Sequence, residues 1–132
     1  MKYKGFSLIE LLIVLGVIAL INIIMLPNFS SLMSTAKATS AKSNVRSIMV
    51  SIEQYYFINQ TYPIGSNVSI SSVLDQLQAS NIISTAPTNP FTGTVYSSSD
   101  QSGLVRYELL GTDEYRIQLY GNNNEELIFE YP

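Results

Sequence analysis

The first part of the chain is almost uniformly apolar. Between residues 6 and 26 the only ionisable side chain is that of Glu10. At 1.5 Å per residue, such a run makes a helix of roughly 32 Å, long enough to cross a hydrocarbon core of about 30 Å. The pattern therefore predicts a membrane-spanning helix over residues 6–26.

The next stretch, residues 27–60, has the pattern of an amphipathic helix. Its apolar side chains recur at steps of three and four, and Ser, Thr, Lys, Asn and Gln fill the other positions. The apolar positions are Phe29, Leu32, Met33, Ala36, Ala41, Val45, Ile48, Met49, Ile52, Tyr55 and Tyr56. We expect this helix to continue the first one, to pack its upper part on a small head, and to end at Thr61-Tyr62-Pro63.

The remaining residues, 61–132, predict that head. Ser72 with Asp75 resembles a capping box that opens a short helix over residues 73–80, with Val73, Leu74 and Leu77 facing inward. Residues 82–93 hold Pro, Thr, Asn and Gly and predict a loop.

The end of the chain alternates with a period of two, which indicates strands. Three such runs are separated by turn-forming residues and centre on Val105, Tyr107, Leu109; Tyr115, Ile117, Leu119; and Leu127, Phe129, Tyr131. They predict a three-stranded antiparallel meander packed on Ile48, Ile52 and Tyr55, with a fourth edge strand near residues 95–96. The predicted fold class is α+β, a long N-terminal helix packed on a small antiparallel sheet.

Composition narrows the functions that the chain can have. Its formal charge is −3, and its seven bases form no cluster in the sequence, which argues against direct nucleic-acid binding. It has no Cys and no His, so disulfides, thiolate chemistry and imidazole chemistry are excluded. No paired acids or activated nucleophile stand at a defined spacing. We expect a protein that is not an enzyme and has no cofactor.

The flanks of the apolar segment predict its orientation. Lys2 and Lys4 precede it and the next base is Lys37, so the positive-inside rule keeps the N-terminus cytoplasmic and sends the head outward. The run is too long for a cleaved secretory signal, and residues 25–29 offer no small-residue cleavage site. It is also too long and uniform for the core helix of a small protein, but a plain membrane anchor fits its length.

Glu10 separates the plain anchor from a functional segment. A carboxylate costs about 2.5–3.5 kcal/mol at the centre of a bilayer, and less near the edge, so a passive anchor gains nothing from it. The alternative is that Glu10 lies at the interface and extends outward to water.

These residues resemble a known family. The leader and N-terminal helix of type IV prepilins and pseudopilins combine a short basic leader ending in Gly, a following Phe, and a Glu at the fifth position of the matured chain. Here the matching residues are Lys4-Gly5-Phe6-Ser7-Leu8-Ile9-Glu10-Leu11-Leu12-Ile13-Val14. The resemblance covers about the first 30 residues.

The resemblance implies a pathway for this chain. A membrane prepilin peptidase would cut between Gly5 and Phe6, removing residues 1–5, and methylate the new amino group of Phe6. Glu10 would then pair with the positive N-terminus of a neighbouring copy. The chain would be a single-pass protein of the cytoplasmic membrane before a membrane assembly platform builds it into a helical, extracellular homo-oligomeric filament.

A helix kink is also predicted. Pro27 lacks an N–H and clashes with the carbonyl four residues earlier, so the helix is expected to loosen around residues 23–26. Asn22, one turn earlier, can compete for backbone hydrogen bonds.

Several alternatives stay open at this point. Asp113, Glu125 and Glu126 offer oxygen ligands that suit Ca²⁺, and major pseudopilins of type II secretion bind calcium in a loop near the C-terminus; however, no spaced ligand motif is present. A type II secretion pseudopilin, a competence pilin for DNA uptake and a membrane-anchored enzyme are the rival functions. Roles in motility or adhesion cannot be separated by sequence.

Overall fold

The structure, a computed structural model, describes residues 5–132, apart from the side chains of residues 26–28. Lys2 and Lys4 therefore lie outside the described residues. The elements in chain order are α1 (Leu8–Asn59), β1 (Val68–Ser69), α2 (Ile70–Ala79), β2 (Val105–Leu109), β3 (Tyr115–Tyr120), a 3₁₀ turn (Asn122–Asn124) and β4 (Leu127–Tyr131). The predicted α+β fold class is confirmed. Two compact units are present, one ending at Thr35 and the other running from Ala36 to Pro132.

The second unit is built on the last turns of α1. Ala41, Val45, Ile48 and Ile52 follow one another at steps of four, three and four, and all are buried. This spacing places them on one side of a helix, as the sequence predicted. The helix ends at Asn59, where Gln60 takes a left-handed conformation with φ of 58°.

The sheet covers that side of α1. Its order is β1-β2-β3-β4, and each neighbouring pair is antiparallel. Alternate residues of β2 and β3 are buried, namely Val105, Tyr107, Tyr115, Ile117 and Leu119. Together with Ile70, Val73, Leu74 and Leu77 of α2 they form one hydrophobic core with α1. Each fully buried aliphatic side chain contributes about 1.5–3 kcal/mol relative to exposure.

Two predicted boundaries in the head are wrong. The short helix begins at Ile70 rather than at residue 73, because Ser69, and not Ser72, is the cap and accepts from the Ser71 N–H. The fourth strand is β1, which pairs with β2 through Val68 and Tyr107. Val95 forms only an isolated bridge with Thr88, because the chain turns at Gly93 and pairs with itself locally.

The last strand lies at the edge of the sheet and is less buried than its alternation suggests. Leu127 is 43% exposed and Tyr131 is 39% exposed. An irregularity in the β3–β4 register between Leu119 and Tyr120 breaks the alternation opposite this strand. An edge strand has a neighbour on one side only, so its apolar residues receive less cover.

A buried asparagine organises the long segment between α2 and β2. The Asn89 side chain is fully buried and donates to Asp100 Oδ2 at 3.0 Å and to the Ser102 carbonyl at 2.9 Å. Its Oδ1 accepts from the Phe91 N–H at 3.0 Å. Gly103 passes so close that a Cβ there would lie 2.5 Å from Asn89 Oδ1, and its φ is +69°. These bonds hold a segment that contains almost no regular secondary structure.

We expect Asn89→Ala to destabilise the head by about 2–3 kcal/mol, because it removes the hydrogen bonds that a fully buried side chain makes with Asp100, the Ser102 carbonyl and the Phe91 N–H. Chemical denaturation of the detergent-solubilised protein, followed by near-ultraviolet circular dichroism of its tyrosines, measures this loss. Asn59→Ala is the matched control, since it removes a 3.0 Å bond to the Tyr55 carbonyl at an exposed site. Equal losses in the two variants would contradict the role given to Asn89.

Tyrosine rings join the end of α1 to the sheet. Tyr56 and Tyr62 stack with centroids 4.4 Å apart, and Tyr62 meets Tyr115 edge-on at 4.9 Å. Tyr115 also contacts Tyr107 at 5.7 Å and Tyr131 at 5.5 Å. Such pairs add about 0.5–1.5 kcal/mol each beyond the area that they bury.

Glu53 on α1 accepts hydrogen bonds from two of these rings. Tyr115 donates to it at 2.9 Å and Tyr62 at 3.2 Å. Burial first, and then the Glu53 carboxylate, raise the pKa of Tyr62 to about 12. The same two causes raise the pKa of Tyr115. The folded protein therefore favours neutral tyrosines.

Alkaline pH should unfold the head. The raised tyrosine pKa values contribute their full stability below about pH 10, the value of an unperturbed tyrosine. That stability is lost as pH rises toward about 12, because the unfolded chain ionises first. A titration of tyrosinate absorbance alongside near-ultraviolet circular dichroism tests this.

Tyr115→Phe keeps the ring and removes the ionisable hydroxyl. We expect this variant to be less stable at neutral pH but to lose less stability over the alkaline range. If every tyrosine of the folded wild-type protein ionises near pH 10 with an unchanged dichroism spectrum, the linkage is absent.

Candidate functional site

The first turns of α1 expose an apolar surface that the chain itself does not cover. The segment Leu8–Met25 is long and apolar enough to cross a membrane by length and composition, and none of it is buried. Leu8 is 80% exposed and Ile23 is 69% exposed. Because apolar surface is driven out of water, this segment needs lipid or other polypeptide chains around it.

Ser7 and Glu10 together cap the start of this helix. The Glu10 Oε2 accepts from the Ser7 N–H at 2.8 Å, and the Ser7 Oγ accepts from the Ile9 N–H at 3.3 Å. This is the reciprocal arrangement of a capping box, in which Ser and Glu lie three residues apart. The sequence analysis missed Ser7 as a site residue, although the Ser-x-x-Glu spacing was visible.

The cap explains the hydrogen bond that Glu10 accepts, but it does not provide a countercharge for the Glu10 carboxylate. A carboxylate near a helix N-terminus is stabilised by the helix dipole and by the N–H group that it accepts from. Neither of these is a countercharge. Over residues 5–36 Glu10 is the only ionisable side chain, so that stretch offers it no cation.

Gly5 and Phe6 precede the helix and pack on none of the residues that the structure describes. A Cβ built at Gly5 would have no heavy atom within 4 Å. The Phe6 side chain is 84% exposed. Both residues are exposed and lie outside regular secondary structure.

Comparison with known proteins bears directly on this segment. The family model of the prokaryotic N-terminal methylation motif matches residues 1–25. The chain thus carries the prokaryotic N-terminal methylation motif at its start. It is 36% identical over 81 residues to a protein of Clostridium perfringens (strain 13 / Type A) named prepilin peptidase-dependent protein A.

That alignment covers 61% of this chain and 58% of the relative. The chain thus spans less than two thirds of the length of this relative. No solved structure matches the chain. The likeness extends beyond the motif, since 81 aligned residues are more than the 25 that the family model covers.

The predicted kink falls within α1, which runs as one helix from Leu8 to Asn59. Asn22 donates from its side chain to the Ile18 carbonyl at 2.7 Å, so it does compete for a helix carbonyl. The Pro27 side chain lies outside the described residues. A kink between these positions stays a prediction.

The proposed calcium ligands do not come together. Asp113 lies in the turn before β3 and accepts from the Tyr56 hydroxyl at 3.2 Å. Glu125 and Glu126 lie in the turn after β3, at the opposite end of a strand of six residues. In the part of the chain that the structure describes, no group of three or more acidic, His or Cys side chains is placed to hold a metal ion.

Proposed function

We propose that this chain is a non-enzymatic structural subunit of an extracellular type IV pilus filament. The observation that carries the proposal is the capped, solitary Glu10 at the start of an exposed apolar helix. The methylation motif over residues 1–25 supports it, as does a relative whose name describes it as prepilin peptidase-dependent.

The first step of the proposed pathway is cleavage between Gly5 and Phe6 by a membrane prepilin peptidase. The enzyme then methylates the free amine of Phe6. Removal of residues 1–5 takes away Lys2 and Lys4, so the formal charge changes from −3 to −5. The mature chain no longer has bases to hold its N-terminus on the cytoplasmic side of the membrane.

Gly5→Val should block this cleavage. Its branched side chain obstructs a protease cleft, whereas the chain itself has open space at that position. Mass spectrometry of the membrane-extracted protein should show residues 1–5 retained and Phe6 unmethylated in the variant.

Gly16→Ala is the control, because a Cβ there also meets nothing within 4 Å, and it should be processed as in the wild type. Retention of residues 1–5 in the mature wild-type protein, or normal processing of Gly5→Val, would disprove the cleavage site.

The second step is assembly through paired charges. The new amine and a carboxylate about 4 Å apart attract by about 4 kcal/mol at an effective dielectric near 20. A buried pair adds little net stability over an apolar contact, but breaking it is costly. A subunit that enters out of register leaves both charges unpaired. The pair therefore selects the register in which copies stack.

Three variants separate this role of Glu10 from helix capping. Glu10→Gln keeps an oxygen that accepts from the Ser7 N–H but removes the charge, and Glu10→Ala removes both. Ser7→Ala removes the bond to Ile9 and keeps the charge. We expect all three to be cleaved and held in the membrane.

The three variants should differ in the amount of filament that they form. Both Glu10 variants should form few or no filaments, at least about tenfold below the wild type, whereas Ser7→Ala should assemble, since losing a cap costs only about 0.5–2 kcal/mol. Quantified electron microscopy of sheared surface material is the measurement. Normal filaments with Glu10→Gln would show that the charge is not needed.

Electron microscopy of surface material from a deletion strain, together with that strain's protein secretion and DNA uptake, distinguishes the pilus from the rival systems. Long surface filaments that disappear in a deletion strain support a pilus. A deletion strain that loses protein secretion but shows no change in surface filaments indicates a type II secretion pseudopilin, and one that loses only DNA uptake indicates a competence pilin. These outcomes would replace the proposed filament while leaving the prepilin pathway in place.

A further inference from the structure

The outer face of the head sheet has two different halves. In one half the charges are internally paired. Arg116 lies 3.3 Å from Glu108 and 3.8 Å from Glu130, and Gln118 donates to Glu130 at 2.9 Å. This half offers no unpaired charge to a ligand.

Arg106 occupies the other half and has no such partner. Its Nη1 donates to the neutral Asn67 Oδ1 at 3.0 Å, and no carboxylate oxygen of the described residues lies within 4.0 Å. It borders a groove of about 380 Å³, whose lining residues are Asn67, Leu104, Arg106, Gln118, Tyr120 and Asn124. The strand register explains their convergence, because Arg106 on β2 pairs directly with Gln118 on β3.

A second groove adjoins the first at Asn124. It has a volume of about 410 Å³ and is lined by hydroxyl, amide and carboxylate side chains, including those of Ser98, Ser99, Gln101 and Glu125. Asn124 is fixed in place, since it donates to the Asp100 carbonyl at 2.8 Å and accepts from the Leu104 N–H at 3.0 Å. The two grooves thus form one polar trough around a rigid residue.

The chemistry of this trough limits its ligand. One unpaired cation is too few for a nucleic acid, whose affinity comes from many phosphate contacts. Leu104 is the only aliphatic side chain lining either groove, so the trough has little to offer the apolar anchors of a peptide. A guanidinium group matches the geometry of a carboxylate. Amide and hydroxyl groups can both donate and accept hydrogen bonds. A Tyr ring presents a flat apolar surface with a polar hydroxyl at its end.

We infer that the trough binds an acidic oligosaccharide. A uronate carboxylate pairs with Arg106 and its sugar ring lies near Tyr120, while the next, uncharged sugar occupies the groove lined by Ser98, Ser99 and Gln101. The carboxylates of Asp100 and Glu125 then accept from sugar hydroxyls and disfavour a second acidic unit. The ligand is accordingly a polymer in which acidic and neutral sugars alternate.

Nuclear magnetic resonance of the detergent-solubilised full-length protein tests this inference independently of filament formation. The probe is a hexasaccharide of alternating glucuronate and N-acetylglucosamine. It should shift the side-chain resonances of Arg106, Gln118 and Asn124 in a saturable manner. The same hexasaccharide with its carboxylates reduced to alcohols should bind at least about tenfold more weakly, the effect of losing one charge-assisted hydrogen bond.

Matched variants make the test specific. Arg106→Gln should weaken binding at least about tenfold. Arg46→Gln changes the net charge equally at an exposed position on α1 and should leave binding unchanged.

Three results would overturn the inference. The first is equal binding of the reduced hexasaccharide, and the second is undiminished binding by Arg106→Gln. The third is the same set of shifts produced by acetate alone at equal concentration, which would show a general anion site. Each outcome is independent of whether the chain forms filaments.

Discussion

A lone carboxylate at the start of an apolar helix is the constraint on which the rest of this molecule depends. Ionised Glu10 is tolerated in isolation because Ser7 donates to it and the helix dipole favours it there. Both effects are local and neither supplies a countercharge. The helix that follows cannot provide one either, since no cation lies between Glu10 and Lys37. Among the described residues near it Glu10 therefore has a cap but no countercharge, and this is why we propose a partner on another copy.

The two parts of helix α1 differ in how far their apolar side chains are buried. Over Leu8–Met25 its side chains are mostly apolar and none of this segment is buried. From Ala41 onward the same helix presents a continuous apolar side that α2 and the sheet cover, while Val50, Phe57 and Ile58 remain exposed elsewhere on it. The head has no disulfide to stabilise it. The buried Asn89 network and the tyrosine contacts with Glu53 hold its irregular segments in place instead.

How much of the fold and the candidate site could be predicted depends on whether each feature leaves a pattern in the sequence. The bounds of α1, β2 and β3 follow from periodicity, because buried side chains such as Ile52 and Ile117 repeat at the spacing of their element. The sequence misplaces the start of α2, because Ser72 with Asp75 matches the capping-box spacing, whereas the actual cap is Ser69, whose hydroxyl accepts from the Ser71 N–H. Strand β1, only two residues long, has no period at all. Asn89 resembles any turn residue in sequence, and only the fold brings Asp100 and Ser102 to it. The trough around Arg106 likewise depends on strand register.

The capping box accounts for part of the role of Glu10. Capping requires only an oxygen that accepts from the Ser7 N–H, and the amide of a glutamine supplies one. It therefore accounts for the position of the side chain but not for its charge, which carries a penalty in an apolar medium that a neutral residue avoids. The helix dipole offsets only part of that penalty. In the processing that we propose, the complementary group is the free amine of Phe6, four residues earlier in the chain. An α-helix places that amine too near the start of its own helix to be shielded from water, whereas in a bundle of staggered copies the neighbouring carboxylate can cover it.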